Sequence, residues 1–354
     1  MDLTQFFVSP QSTIRQVIQC IDGNAKGIAM IVDRDQKLID TITDGDIRRA
    51  ILANVDVDLP VKALFGHREP AASPNPVTAP AGTSDPRLLH IMTERSVRQI
   101  PLVDETGRVV DIAFLSDLVK DYEQPLTAVV MAGGFGTRLR PLTDDLPKPM
   151  LPVGDKPLLQ LIIEQLHEAG INKVNLTTHY KREVIEEHFG TGADFGVDIS
   201  YVEEDQPLGT AGSLSLLEKT DGPVLVINGD VLTRINFRAM LEFHRDHEAD
   251  MTVAVRQYKF RVPYGVIETD GPMITALSEK PVVRHFINAG IYLLNPDVCR
   301  SIPNGQSYDM TDLISRLMAE GRRVVGFPLR EYWLDIGQVE DYQRALSDIE
   351  NGEV

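Results

Sequence analysis

Short apolar runs alternate with stretches of helical spacing along most of the chain, and their order predicts the fold. Residues 127–131, 173–178, 199–202 and 224–228 are rich in aliphatic and β-branched residues and read as strands. Residues 157–169, 182–189 and 211–218 lie between them and read as helices. Strand followed by helix, repeated, predicts an α/β domain with a mostly parallel sheet covered on both faces. Ligands of such sheets bind beyond the carboxyl ends of strands. Gly133–Arg138 and Gly229-Asp230 both follow strands in that sense. From residue 251 to 292 the apolar runs are short with few helices between them, which predicts an antiparallel extension forming the second wall of a cleft.

The N-terminal third repeats itself. Residues 28–47 (IAMIVDRDQKLIDTITDGDI) align with residues 100–118 (IPLVDETGRVVDIAFLSDL), Val32-Asp33 matching Val103-Asp104 and Asp46-Ile47 matching Asp117-Leu118. Each copy reads as strand, tight turn, strand, then a helix opened by an aspartate, with another helix before it at 12–21 or 85–94. Repetition predicts two similar modules packed together, since one alone would bury its sheet face poorly. These residues resemble a tandem pair of CBS domains, an α/β module covering 1–120 as copies 1–65 and 66–120. The resemblance implies a regulatory site for an adenine nucleotide, whose ribose is held by a Ser/Thr-x-x-Asp motif. The first copy has that motif as Thr43-Asp44-Gly45-Asp46. The second has Phe114 in place of the hydroxyl and keeps Asp117, so at most one good adenosine site is expected. Asp46 and Asp117 also suit helix N-caps with no ligand. Residues 69–86, rich in Pro, Ala and Ser, read as a connecting loop. The polar run 119–125 ends in proline and marks the boundary with a second domain, 125–354.

The 354 residues suffice for two domains, and the formal net charge is −17. That charge would repel a nucleic-acid duplex, so nucleic acid is not an expected partner. An anionic substrate must instead be held by local Arg and Lys. No apolar run reaches the length of a membrane span, and the first residues lack the pattern of a secretory signal. Cys20 and Cys299 are the only cysteines and fall in different domains, which fits a reducing cytoplasm with no disulfide framework.

Residues 133–152, GGFGTRLRPLTDDLPKPMLP, concentrate the chemistry. Gly133, Gly134 and Gly136 let the backbone turn sharply and point N–H groups at phosphate oxygens. Arg138 and Lys148 add positive charge, and Pro141, Pro147, Pro149 and Pro152 stiffen the loop. A Walker A loop would end in Gly-Lys-Ser/Thr, whereas this one has Gly-Thr-Arg. A dinucleotide loop would carry a third glycine where Leu139 stands, which also argues against an NAD-dependent oxidoreductase.

With this loop, and over residues 125–350, the chain resembles the sugar-1-phosphate nucleotidylyltransferases, and the resemblance implies a Rossmann-like fold. It implies that Gly133, Gly134, Gly136 and Thr137 hold the triphosphate of an NTP. Arg138 and Lys148 then serve as the catalytic cations. Asp230, in VINGD, and Asp335, in YWLDIG, would hold Mg²⁺, which takes few carboxylates and completes its shell with water and phosphate. Either aspartate alone also reads as a turn or cap residue. The PLGTAGS run at 207–213 is implied to lie under the base, with Gln206, Gly209 and Thr210 near it. The acidic residues Glu203, Glu204 and Asp205 precede it: a carboxylate accepts two hydrogens from a guanine edge, whereas an amide suits several bases. Thr210 also reads as a helix cap. The motifs Tyr264-Gly265, Glu279-Lys280 and Asn288-Ala289-Gly290 are implied to bind the sugar phosphate through Gly265, Glu279, Lys280 and Asn288. Gly265 and Gly290 otherwise read as strand bulges.

The expected reaction joins an NTP, with GTP favoured, to a sugar 1-phosphate, releasing pyrophosphate and an NDP-sugar for surface-glycan synthesis. Glucosamine and mannose 1-phosphate are both candidates. A non-catalytic sugar-nucleotide sensor is the alternative, disfavoured by the joint presence of two cations and two acids. CBS pairs associate face to face, so a homo-oligomer is expected. His244 and His247, flanking Arg245 and Asp246, read as an exposed helix face and not as a zinc site.

Overall fold

The structure is a computed structural model and describes residues 2–67, 75–118 and 126–353. Residues 69–74 of the connecting stretch and the boundary segment 119–125 lie outside the described residues. The chain divides into two compact units, Met1–Glu123 and Gln124–Val354.

The N-terminal unit contains the repeat as two three-stranded sheets with the same topology. In the first, Phe7–Val8 pairs parallel with Ile28–Val32, which pairs antiparallel with Leu38–Thr43. In the second, Ala79–Pro80, Gln99–Val103 and Val109–Phe114 repeat that arrangement. The helices Ile14–Asn24 and Asp85–Arg95 precede the main strands. The hairpin turns of the two copies bond to each other, Leu38 N to Gly107 O at 3.0 Å and Val109 N to Gln36 O at 3.1 Å. One apolar cluster joins Ile28, Met30 and Val32 of the first copy to Val109, Ile112 and Phe114 of the second. The phenylalanine that replaces the expected hydroxyl is thus part of the shared core, its ring centroid 6.1 Å from that of Phe6. The helix starts differ from expectation. Thr43, not Asp46, caps Asp44–Leu52; its hydroxyl accepts from the Asp46 N–H, and Asp46 at the third position accepts from Thr43 N in return. Asp117 sits inside the short helix Leu115–Leu118, 3.9 Å from Lys26 Nζ.

The C-terminal unit is built on a seven-stranded sheet. Its order is Asp198–Glu203, Lys173–Thr178, Thr127–Met131, Val224–Asn228, Val282–Leu294, Met251–Arg261 and Val324–Leu329. Only Val282–Leu294 runs against the others. The chain leaves Thr127–Met131 toward one side of the sheet and later returns to its other side as Val224–Asn228. That reversal creates a crevice at the carboxyl ends of these two neighbours, where ligands of such sheets bind. Strands 127–131 and 224–228 are buried on both faces as continuous apolar runs, as parallel sheets require.

Two expectations change here. The extension after residue 251 is two long strands, Met251–Arg261 and Val282–Leu294, linked by the hairpin Val266–Asp270 and Met273–Ser278. Short apolar runs hid this length because the outer halves carry alternating polar residues. The helix expected over 211–218 is one α-turn, Gly209–Gly212, followed by a 3-10 turn, Ser213–Leu216. Its backbone is held by a distant segment instead of by its own continuation.

Candidate active site

The glycine loop leaves Thr127–Met131 and is anchored by Leu139, which is fully buried against Leu151, Val153, Leu232, Leu334 and Ile336. That anchor leaves Thr137 and Arg138 exposed on the preceding turn. Gly136 has φ +62°, and a Cβ there would stand 2.8 Å from Thr143 Cγ2 and 3.1 Å from Lys148 Cβ. Thr143 fixes the same turn by donating to Gly136 O at 2.8 Å. Gly133 faces His179 and Glu204, whereas a Cβ on Gly134 would meet open space.

The neighbouring strand delivers Asp230. Gly229 donates to Met131 O at 2.9 Å, where any side chain would collide with that carbonyl. Val231–Thr233 then pairs antiparallel with Trp333–Asp335, Val231 opposite Asp335, and Ile336 N donates to Asp230 O at 2.9 Å. The two sequence-predicted acids therefore stand at the same end of a short ladder despite their separation in the chain. Lys148 is buried and ion-paired with Asp230. Loss of hydration, and next the charge of Asp230, push the Asp335 carboxyl above its ordinary range, while Lys148 and Arg138 oppose the shift. Around Gly337, a Cβ would lie 3.8 Å from Arg138 Nη1, 3.9 Å from Asp335 Oδ1 and 3.6 Å from Asp341 Oδ2. Two cations and two candidate ligand acids thus converge at the crevice. Two carboxylates, with the rest of the shell open to water and phosphate, are a donor set that fits Mg²⁺.

A cavity of about 190 Å³ adjoins Asp335, lined by Asn228, Val231, Asn288, Ala289, Gly290, Tyr292, Trp333 and Asp335. Gly290, at φ +72°, sits in a bulge of its strand, and a Cβ there would lie 2.7 Å from Asn228 Nδ2. Asn288 Oδ1 accepts from Gly290 N, and Trp333 Nε1 donates to Ala289 O at 2.8 Å. Burial raises the Tyr292 hydroxyl above its ordinary range, opposed by a hydrogen bond with Asn288. Of the sugar candidates, Asn288 alone lines this cavity. Glu279, Lys280 and Gly265 are exposed at the elbow of the long hairpin, where a Cβ on Gly265 would lie 3.0 Å from Glu279 Oε2.

The 206–212 segment departs from expectation in what it approaches. A Cβ on Gly209 would strike Asp309 Oδ1 at 2.6 Å, and one on Gly212 would strike Gln306 O at 2.6 Å. Ala211 N and Gly212 N both donate to Tyr308 O, and Thr210 N donates to Asp309 Oδ1. The close approach that these glycines permit is made by the chain itself. Thr210 caps a different helix from the one expected: its hydroxyl accepts from Met310 N at 2.8 Å, at the start of Met310–Ala319. Gln206 is exposed and donates to Gly305 O at 3.4 Å. Glu204, by contrast, is buried, with Oε2 accepting from Leu208 N and Oε1 turned toward Gly133.

Sequence reasoning missed His179, Asn228, Tyr292, Trp333 and Asp341. His179 follows a strand in the same sense as the glycine loop, Asn228 and Trp333 lie two residues before the two acids, and Trp333 is the chain's single tryptophan. It also misread His244, which is buried and hydrogen-bonded to Thr252 and Asn295. Its spacing from Phe237 and Met240 places it on the apolar face of Phe237–Asp246.

The family described as Nucleotidyl transferase matches residues 127–352, and the CBS domain matches residues 3–53 and 70–123. A mannose-1-phosphate guanylyltransferase of Mycobacterium tuberculosis is 37% identical over 233 residues, 64% of this chain and 65% of that protein. The chain thus spans just under two thirds of that relative. A D-glycero-alpha-D-manno-heptose 1-phosphate guanylyltransferase of Aneurinibacillus thermoaerophilus is 34% identical over 64% of this chain and 99% of its own length. The crystal structure of HddC from Yersinia pseudotuberculosis complexed with GMP-PN superimposes with a TM-score of 0.50 at 25% identity, over 63% of this chain and 99% of that one.

Proposed function

Because the chain belongs to the nucleotidyl transferase family and carries a CBS pair, we propose that it transfers a nucleotidyl group from an NTP to a sugar 1-phosphate, releasing pyrophosphate. One observation carries the proposal: the glycine loop, Arg138, Lys148, Asp230 and Asp335 meet at the carboxyl ends of two adjacent strands. A pure binder has no need of two cations facing two acids.

The phosphate oxygen of the sugar 1-phosphate attacks the α-phosphorus in line and pyrophosphate departs. The attacking phosphate is already ionised near neutral pH, so catalysis is positioning and charge stabilisation. Gly133, Gly134, Gly136 and Thr137 hold the triphosphate through the loop backbone. Arg138 neutralises the departing pyrophosphate, and Lys148, released from Asp230, neutralises the phosphate under attack. Asp230 and Asp335 would hold Mg²⁺, which would supply further neutralisation of phosphate charge. Asn288, Glu279, Lys280 and Gly265 receive the sugar phosphate.

The base is guanine in this reading. Glu204 turns Oε1 toward Gly133 while Oε2 accepts from Leu208 N, so it offers one carboxylate oxygen to a guanine edge, and two relatives carry guanylyltransferase names. The same relatives favour a manno-configured sugar over glucosamine. The CBS unit takes an adenine nucleotide at Thr43 and Asp46 of the first copy, where a ribose replaces the capping contacts. Asp117 of the second copy already faces Lys26. Among the described residues no helix is long and apolar enough to cross a membrane, and a cytoplasmic location suits an enzyme using NTP.

The test is pyrophosphate release from GTP, CTP, UTP, ATP and dTTP, each with a panel of sugar 1-phosphates and Mg²⁺. Release from GTP with a manno-configured sugar supports the reading, and tight nucleotide binding without release from any pair sinks it in favour of the sensor.

A further inference from the structure

The strand Lys173–Thr178 is followed by four residues that each hold a different part of the crevice. His179 Nδ1 donates to Glu204 O at 2.8 Å. The Tyr180 ring centroid stands 5.5 Å from that of Phe135 in the glycine loop. Lys181 Nζ donates to Asp144 O, farther along the same loop, and Arg182 is ion-paired with Glu203. All four are half-buried. Lys181 has φ +50°, a left-handed conformation that surrounding contacts must hold in place. Both cations are engaged by the chain itself, and His179 is the residue whose contacts reach the glycine loop and the acidic run together.

The loop and the acidic run meet at His179. A Cβ on Gly133 would stand 3.4 Å from His179 Cβ and 3.6 Å from Glu204 Oε1. Phe135, 46% exposed, meets the His179 ring edge to face, with centroids 5.6 Å apart and planes at 84°. Both backbone groups of the buried Glu204 are taken by this segment: its N–H donates to Thr178 O at 3.2 Å, and its carbonyl accepts from His179. A carbonyl only accepts, so Nδ1 carries the hydrogen. Leu208 N holds Oε2, and Oε1 faces the glycine loop. The distance from that oxygen to the loop is therefore set through His179.

We propose that His179 is a positioning residue for base selection. It fixes the backbone of Glu204 and, through Phe135, the glycine loop, so that the oxygen facing the base and the N–H groups facing the triphosphate keep one spacing. A nucleotide bound by its phosphates then brings the edge of the right base to Oε1. A wrong base leaves that desolvated oxygen without a donor, which is the penalty that discriminates. The penalty requires that the carboxylate cannot retreat. Without His179 it follows whichever edge enters, and discrimination falls. This inference rests on the reading of the crevice as a nucleotide site with Glu204 at the base; it needs neither turnover nor a particular base.

The experiment is calorimetric titration of the full chain with GTP, CTP, UTP, ATP and dTTP in the presence of Mg²⁺ and without sugar phosphate. The quantity read is the ratio of affinities for the preferred nucleotide and the next best. His179→Ala should lower that ratio about tenfold, the effect of one hydrogen bond in a fixed site. His179→Asn carries an N–H donor on the same γ carbon and should restore it. In a Glu204→Gln background, His179→Ala should leave the ratio where Glu204→Gln has put it, because His179 acts through Glu204. Phe135→Ala, at an exposed position, should lower the ratio in the same direction, and it decides the matter if thermal melts show His179→Ala to be misfolded. A ratio unmoved by His179→Ala and Phe135→Ala overturns the assignment, as does a fall of equal size in the Glu204→Gln background. A well-folded His179→Asn that discriminates no better than His179→Ala also overturns it. A wild-type chain that binds no nucleotide removes the underlying reading of the site, a result distinct from binding with an unmoved ratio.

Discussion

Lys148 and Asp230, 82 residues apart, form an ion pair that joins the end of the glycine loop to the end of the adjacent parallel strand. The pair holds a cation in place with no ligand needed, and it occupies the carboxylate that a metal would claim. Lys148→Met should lower turnover by roughly 10²-fold or more, since a preorganised cation acts mainly on the transition state. The single variant also strands the acid and should lower the melting temperature. The double variant Lys148→Met/Asp230→Asn should regain melting temperature without regaining rate. Initial rates of pyrophosphate release and thermal melts check both halves, and a double variant that recovers turnover would remove Lys148 from catalysis.

Gly136 and Gly134 stand two residues apart and should respond oppositely to alanine. At Gly136 the left-handed backbone and the contacts with Thr143 and Lys148 leave no room for a Cβ. At Gly134 a Cβ meets open space. Gly136→Ala should cost about 1–3 kcal/mol of stability and most of the activity, because it displaces Lys148. Gly134→Ala should leave the melt unchanged and act only on NTP affinity. Denaturant unfolding of the two variants side by side is the measurement.

Asp335 should make metal use pH-dependent. Its carboxyl is raised first by lost hydration and next by Asp230, so it takes up a proton at higher pH than an ordinary carboxylate. Protons then compete with the metal as pH falls. The Mg²⁺ concentration for half-maximal rate should rise on acidification. Asp335→Asn should need more Mg²⁺ at every pH and show a flatter pH dependence. EDTA should abolish the reaction and Mg²⁺ restore it. Titrations of rate against Mg²⁺ at several pH values test this.

His244 should make stability fall with acid. Burial holds its imidazole below the ordinary value, so the unfolded chain binds the proton first. The contribution is full above the unfolded value of about 6.5 and is lost as pH falls from there toward the folded value. His244→Gln keeps a polar partner for Thr252 and Asn295 and removes the titration. Its melting temperature should drop less than that of the wild type between neutral pH and the mildly acid range. An equal drop would show that His244 plays no part.

The parts of the fold legible in the sequence are those set by local pattern. Residues 127–131 and 224–228 are apolar at every buried position, so their strands were plain, and a glycine run after the first located the loop. The repeat in the N-terminal third disclosed two similar modules. Illegible were features decided by partners far along the chain. The arm's outer halves alternate polar and apolar residues because both faces meet solvent, which broke two long strands into short runs. Gly209 and Gly212 signalled a close approach but not that residues 306–309 make it. His244 lies beside Arg245 and Asp246, and only its spacing from Phe237 and Met240 gives its burial. Glu203, Glu204 and Asp205 look alike as letters; tertiary packing alone buries Glu204.

The bonds from Ala211 and Gly212 to Tyr308, and from Thr210 to Asp309 99 residues downstream, set a timetable for synthesis. A nascent chain that has already emerged through the glycine loop and four strands of the sheet still lacks the segment that closes the 206–212 turn. Asp230 waits longer, because its carbonyl is bonded by Ile336. The crevice is therefore completed late in the synthesis of this unit, and chains released early carry every residue of the loop without its geometry.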